Sequence, residues 1–186
     1  MLQIVIQGRG GQGAQTAGNL LAAAFFAAGR EVQCFASYGG ARRGTPVSSF
    51  LRVDDRPVRV RCDIECADAI LCFDASLLAP PLLAVADAHT LIVVNSMQPR
   101  SEFAQALPDR QVLPIDGLAI ARRHGLARIV NSALLGAFAR ALGAPALPVL
   151  QATLAEGSPR SVDENLAACA EGWQVAERLL AEEALR

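Results

Sequence analysis

The sequence predicts an α/β protein built on an open, mostly parallel sheet with flanking helices, a β-hairpin after the second strand and a helical C-terminal part. Three observations carry that expectation. The apolar stretch "LQIVIQ" runs through a glycine-rich turn straight into an alanine-rich helix. Short, continuously apolar runs such as "DAILCF" and "TLIVV" read as strands covered on both faces, the pattern of a parallel sheet. Beyond residue 116, helical periodicity alternates with glycine and proline breaks. A length of 186 residues with 52% hydrophobic content suits a single domain over 1–186.

The elements follow in order. After the first strand, a helix over 12–28 sets Leu20, Leu21, Ala24 and Phe25 on one face and stops at Gly29. "EVQCFAS" then completes a βαβ unit of Rossmann-like character. "VSSFLRV" and "VRVRC" flank the turn-forming "DDRP", which predicts a hairpin with Arg59 and Arg61 on one face and Val58 and Val60 on the other. "DAILCF", "TLIVV" and "QVLPID" supply the remaining strands, and helices are expected over 117–124, 131–142 and 145–155. The last helix opens with Ser161 and Glu164 at capping-box spacing. It carries Leu166, Cys169, Trp173, Ala176 and Leu180 along one stripe, fit either to close the core or to dock another chain.

Composition narrows the chemistry. A net charge of -1, from 17 basic and 18 acidic side chains, provides no field to gather nucleic acid or an anionic membrane. The longest apolar run, "LLAAAFFAA", is about half of a membrane span, so a soluble protein is expected. The chain has no lysine, which excludes P-loop phosphate binding and Schiff-base catalysis. With no signal-peptide pattern at the start and an odd set of five cysteines, a reducing cytoplasm is the expected compartment. Cys62, Cys66 and Cys72 match no iron–sulfur spacing, and Cys72 lies inside an apolar run. His89 and His124 are far apart and belong to no metal-ligand spacing, while Ser37, Ser48 and Ser49 lie outside any nucleophile elbow. Tyr38 is the single phenol, a general acid or a packed loop residue. No catalytic and no metal-ligating residues are therefore expected.

The turn after the first strand holds Gly8, Gly10 and Gly13 at G-x-G-x-x-G spacing, with Gly11 in addition. A dinucleotide site of this kind needs an acidic residue at the end of the second strand to bind the ribose. That strand ends "CFASYGG", with Glu31 at its beginning and Asp54 and Asp55 too far on. The turn is a weak warrant for NAD.

Two stretches taken together, "GRGGQGAQTAGNLLAAA" and "SYGGARRGTPVSSFLRV", resemble the gamma subunit or gamma domain of the 2-oxoacid:acceptor oxidoreductases, of pyruvate/ketoisovalerate ferredoxin type. The resemblance continues through "ADAILCFD", the "NS" after "TLIVV", "NSALLGAFARALG" and "ENLAACAEGW", and covers nearly the whole chain. The R-R-G-T-P form of 42–46 looks more like the pyruvate type than the R-G-G form of 2-oxoglutarate enzymes, and leaves related substrates such as phenylglyoxylate open.

The resemblance implies a complex of alpha, beta, gamma and delta subunits. Thiamine diphosphate with Mg sits between alpha and beta, and iron–sulfur clusters are held by beta and delta. This chain binds none of them alone, and its implied role is assembly and the gating of coenzyme A. The candidate cofactor-facing residues are Gly8, Gly10, Gly11, Gln12 and Gly13 in the first loop, and Ser37, Tyr38, Gly39, Arg42, Arg43 and Gly44 in the second. Both loops follow parallel strands, so they are expected side by side on the carboxyl edge of the sheet. There the glycines admit close approach and the arginines meet a phosphate or carboxylate. A free-standing nucleotide-binding or regulatory domain is the alternative.

Overall fold

The computed structural model of the chain describes residues 1–38, 44–157 and 160–184. In order, the elements are β1 (Leu2–Arg9), α1 (Ala14–Ala27), β2 (Glu31–Tyr38), β3 (Pro46–Asp54) and β4 (Ala69–Cys72). A 3-10 turn (Ala75–Leu77), α2 (Pro80–Leu83), β5 (Leu91–Asn95), α3 (Arg100–Ala106) and β6 (Gln111–Ile115) follow. The helical part comprises α4 (Gly117–Arg123), α5 (Asn131–Leu142), α6 (Leu147–Gly157) and α7 (Val162–Ala184). No helix among the described residues is long and apolar enough to cross a membrane.

The six strands form one sheet in the order β2-β3-β1-β4-β5-β6. β3 pairs antiparallel with both β1 and β2, while β1, β4, β5 and β6 are joined by parallel ladders. The fold is thus the expected α/β architecture, with a correction to the hairpin. Its two arms are β2 and β3, and "VRVRC" forms no strand. The physical reason is occupancy: β1 and β2 fill both sides of β3, so the segment after "DDRP" has no edge to pair with. The βαβ unit is corrected in the same way, because β3 stands between β1 and β2.

Alternation along β1 splits the core into two layers. Ile4 and Ile6 face α1, α5 and α7, whereas Val5 joins Ile70, Cys72, Ile92 and Val94 under α2, α3 and the 64–67 segment. α1 ends at Gly29, whose φ of 80° closes a Schellman turn through Gly29 N–H to Phe26 O and Arg30 N–H to Phe25 O. The stripe on α7 closes the domain's own core, with Ala168, Cys169 and Ala176 buried and Leu166, Trp173 and Leu180 packed alongside. It meets α5 at backbone distance. A Cβ added at Gly136 would lie 2.0 Å from the Cys169 carbonyl oxygen, and one at Gly172 would lie 2.0 Å from that of Ala133.

The buried thiols give stability an alkaline limit. Burial pushes the Cys72 thiol up to about 11 and that of Cys169 up to about 12, against an ordinary value of 9.0. Folded values above the unfolded one mean that the stabilisation is complete below about pH 9 and is lost as pH rises toward the folded values. The chain has no lysine and a single tyrosine, and burial raises the Cys34 thiol in the same direction. The free energy of unfolding should therefore fall above pH 9 by up to about 1.4 kcal/mol per pH unit for each thiol. Urea titrations at pH 8.5 and 10.5 measure this, and a pair of curves that coincide would contradict it. In parallel, a disulfide reagent should label exposed Cys62 and Cys66 at once, and Cys72 and Cys169 only on unfolding.

Candidate functional site

The carboxyl edge of the sheet opens into a cleft of about 750 Å³ between the ends of β1 and β4. Here the chain leaves β1 toward one edge of the sheet and β4 toward the other, the crevice where open α/β sheets bind ligands.

Its floor is the glycine turn. Arg9 N–H donates to Gln12 Oε1 at 2.7 Å, and Gln12 N–H donates back to Arg9 O at 2.9 Å. The reversal needs Gly11 at φ 94° and Gly13 at φ 88°, a left-handed conformation that favours glycine. Gly13 heads α1, which has no side-chain cap and no acid in its first turn. From 118 residues away, Asn131 Nδ2 donates to Gly13 O at 3.3 Å, and its amide lies 2.6 Å from where a Gly13 Cβ would stand. Asn131 itself begins α5, which also lacks a side-chain cap and an early acid. Two helix N-termini without side-chain caps therefore converge on one cleft.

Arg9 is held at the rim. Its Nε donates to Asp74 Oδ2 at 2.9 Å, Nη2 to Ser76 Oγ at 2.8 Å and Nη1 to Gly44 O at 3.3 Å. Partial burial raises the Asp74 carboxyl, but hydrogen bonds from the Ser76 hydroxyl and N–H, with Arg9, outweigh it and hold the group below its ordinary value. Asp74 stays charged and keeps Arg9 in place. Asn95 staples the other side, with Nδ2 donating to Phe73 O at 3.2 Å and Oδ1 accepting from Gly117 N–H at 3.1 Å. Arg128, Ile129 and Val130 complete the wall.

Of the expected site residues, Gly10, Gly11, Gln12, Gly13 and Gly44 line this cleft. Gly8 lies beneath it. A Cβ there would stand 3.1 Å from that of Phe73 and 3.2 Å from that of Ala14, so its role is close packing of β1 on α1 and the β4 end. Ser37 is exposed near the end of β2, opposite Ser48 and separated from β1 by β3. Tyr38 closes β2 in register with Val47. Gly39, Arg42 and Arg43 lie outside the described residues.

The two loops do meet where Gly10 N–H donates to Thr45 O at 2.8 Å and Gly44 N–H to Gly10 O at 3.2 Å. The cause differs from the expected one: β3 runs antiparallel beside β1 and starts where β1 ends, whereas β2 is one strand removed. That intercalation also displaces the end of β2 by about 4.8 Å from the place of a ribose-binding strand.

Arg9, Asp74, Asn95, Arg128 and Asn131 were not among the expected site residues. For Arg9, Asp74, Asn95 and Asn131 the signal lay in the matched stretches themselves, where "FD" and two "NS" pairs follow strand or open helix; Arg128 lies outside those stretches. His124 lies elsewhere, its Nε2 2.6 Å from Glu171 Oε2 at the end of α4.

Residues 3–175 match the family described as "Pyruvate ferredoxin/flavodoxin oxidoreductase". The chain is 36% identical over 174 residues to the pyruvate/ketoisovalerate oxidoreductases common subunit gamma of Thermococcus kodakarensis, covering 92% of this chain and 94% of that one. It is 35% identical over 178 residues to the gamma subunit of the NADH-dependent phenylglyoxylate dehydrogenase of Aromatoleum evansii, covering 93% of each. The crystal structure of pyruvate oxidoreductase subunit PORC from Thermotoga maritima superimposes with a TM-score of 0.82 at 28% identity, over 93% of this chain and 95% of that one. Fold and near end-to-end matches agree, and the chain belongs to the pyruvate ferredoxin/flavodoxin oxidoreductase family.

Proposed function

We propose that this chain is the gamma subunit of a complex that oxidises a 2-oxoacid to its acyl-coenzyme A, and that its cleft receives the anionic part of coenzyme A against partner subunits. The observation that carries the ligand assignment is the convergence of two uncapped helix N-termini, a glycine turn and the Arg9 and Arg128 guanidiniums on one edge of the sheet. Free backbone N–H groups with a partial positive charge, flanked by arginine, are the chemistry that phosphates require. The relatives named for pyruvate, ketoisovalerate and phenylglyoxylate support the oxoacid class.

The remaining chemistry belongs to other chains. Thiamine diphosphate with its Mg, and the iron–sulfur clusters, are assigned to alpha, beta and delta partners. The cysteines here do not fit a cluster: Cys72 and Cys169 are buried in opposite layers of the core. Among the described residues, no three His, Cys, Asp or Glu side chains converge to hold a metal.

Purification through a tag on this chain from its native source tests the reading. The expected product carries larger partner chains and reduces a viologen dye with coenzyme A and either pyruvate or phenylglyoxylate. The chain alone should turn over neither. A tagged chain that elutes by itself from fresh extract would refute the assignment. Because the end of β2 is displaced and carries no acid, the isolated chain should bind NAD and NADP with a Kd weaker than about 10 μM, or about 7 kcal/mol. Tighter binding by calorimetry would favour a free-standing nucleotide domain.

A further inference from the structure

The segment that was expected to be a strand and has no partner is the most informative surface outside the cleft. Residues 57–61, "PVRVR", keep strand-like alternation, with valines at 58 and 60 and arginines at 59 and 61. After Pro57, which ends the turn, they contain no glycine, asparagine, aspartate or serine that would mark a further loop. Among the described residues, no backbone group of 57–61 bonds to another backbone group, and neither Arg59 nor Arg61 has an ion pair or hydrogen bond. Val60 is 45% exposed, one of few large apolar side chains left in solvent.

The segment is nevertheless held at both ends. At the near end Arg30 Nε stands 3.2 Å from Asp55 Oδ1, and the Asp54 carboxyl accepts from Asp55 N–H at 2.7 Å. At the far end Ile64 is buried in the core layer. Beneath it lies Arg52, only 2% exposed, whose Nη2 donates to Asp63 O at 3.2 Å while Nε and Nη1 reach Gln3 Oε1 and Gln33 Oε1 at 3.3 and 3.2 Å. All these partners are neutral oxygens. A buried cation thus pins Asp63 to the sheet just past one end of a strip that carries Arg59 and Arg61 and no acid.

We propose that 57–61 is a docking strip, which takes an extended, acidic segment of another subunit of the oxidoreductase as an added β-strand. Unpaired N–H and C=O groups supply the ladder, Val60 the apolar contact, and the two free arginines the selection for carboxylates. A solvated loop of the same charge would satisfy its backbone with water, but would have no use for alternating valines or for anchors at both ends. The inference rests on the gamma-subunit reading.

Hydrogen exchange of the purified complex, compared with the isolated chain, is the test. Amides of 58–61 should exchange about tenfold or more slowly in the complex. The double variant R59E/R61E should reduce recovery of partner subunits through the tagged chain by about tenfold at low salt, while the free variant melts as the parent does. Successive N–H groups point to opposite sides, so of Val60→Pro and Arg61→Pro, made separately, one must also lose the complex. A complex that forms with 58–61 unprotected overturns the proposal, as does normal assembly of the charge-reversed chain. Loss with R59E/R61E but with neither proline reduces the strip to side-chain contact and overturns strand addition. If the parent chain brings down no oxoacid-oxidising partner, the subunit reading falls, and the strip with it.

Discussion

Gly136→Ala should lower the melting temperature by roughly 4–8 °C, from a net cost of about 2 kcal/mol, overpacking of about 3 kcal/mol less the gain in helix propensity, at about 2–4 °C per kcal/mol for a domain of this size. The added methyl would stand 2.0 Å from the Cys169 carbonyl oxygen and 2.8 Å from its carbon, and both are backbone atoms of α7. No rotamer change relieves such a clash, so the two helices must separate along their whole contact. Alanine's better helix propensity offsets only about 1 kcal/mol. Gly172→Ala makes the reciprocal contact on Ala133 and should cost a similar amount. The double variant should lose less than the sum, because helices already pushed apart accept the second methyl cheaply. Circular dichroism melts of the three chains decide this. A shift within about 2 °C for Gly136→Ala would show that α7 is not seated on α5 as described.

Arg9→Ala in the assembled oxidoreductase should raise the Michaelis constant for coenzyme A by roughly ten- to a hundredfold, the loss of one charge-assisted contact of about 1.5–3 kcal/mol. Turnover at saturating coenzyme A should change much less, since the residue binds and takes no part in oxoacid chemistry. Asp74→Asn provides the graded control. It leaves the arginine but removes the carboxylate that orients it at 2.9 Å, so an intermediate rise is expected. Steady-state kinetics with the oxoacid held saturating separates the two constants. A value for Arg9→Ala within twofold of the parent would remove Arg9 from ligand binding and leave it as a brace between β1 and Asp74.

The parts of this architecture that depend on local pattern could be read from the chain. The strand–glycine–helix opening, the three apolar strands, the stop at Gly29 and the inward stripe on α7 all follow from the order of residues within a dozen positions. Neighbour relations could not. Nothing in "VSSFLRV" says that it inserts between the two preceding strands, because its alternation suits an edge and a centre equally well. "VRVRC" has the same alternation, and only the filled slots on either side of β3 keep it out of the sheet. Nothing in that stretch marks Arg52 as buried either; its burial depends on Gln3 and Gln33 arriving from two other strands. At the cleft, the glycines could be found by spacing. Asn131 could not, because its contact with Gly13 is made across 118 residues. The short α2 and α3 left too little periodicity to register.

The intercalated β3 also bears on how the chain is made. Synthesis delivers β1, α1 and β2 first, and in most βαβ units those strands could zip together at once. Here they are not neighbours. Until the ribosome has released the chain through Asp54, both have apolar faces but no ladder to join, and the slot between them stands empty. A nascent fragment ending before Pro46 has no sheet to fold into. The first quarter of the molecule therefore passes its earliest moments as sticky, unpaired strand, and co-translational folding must wait for one antiparallel segment to lock two earlier ones.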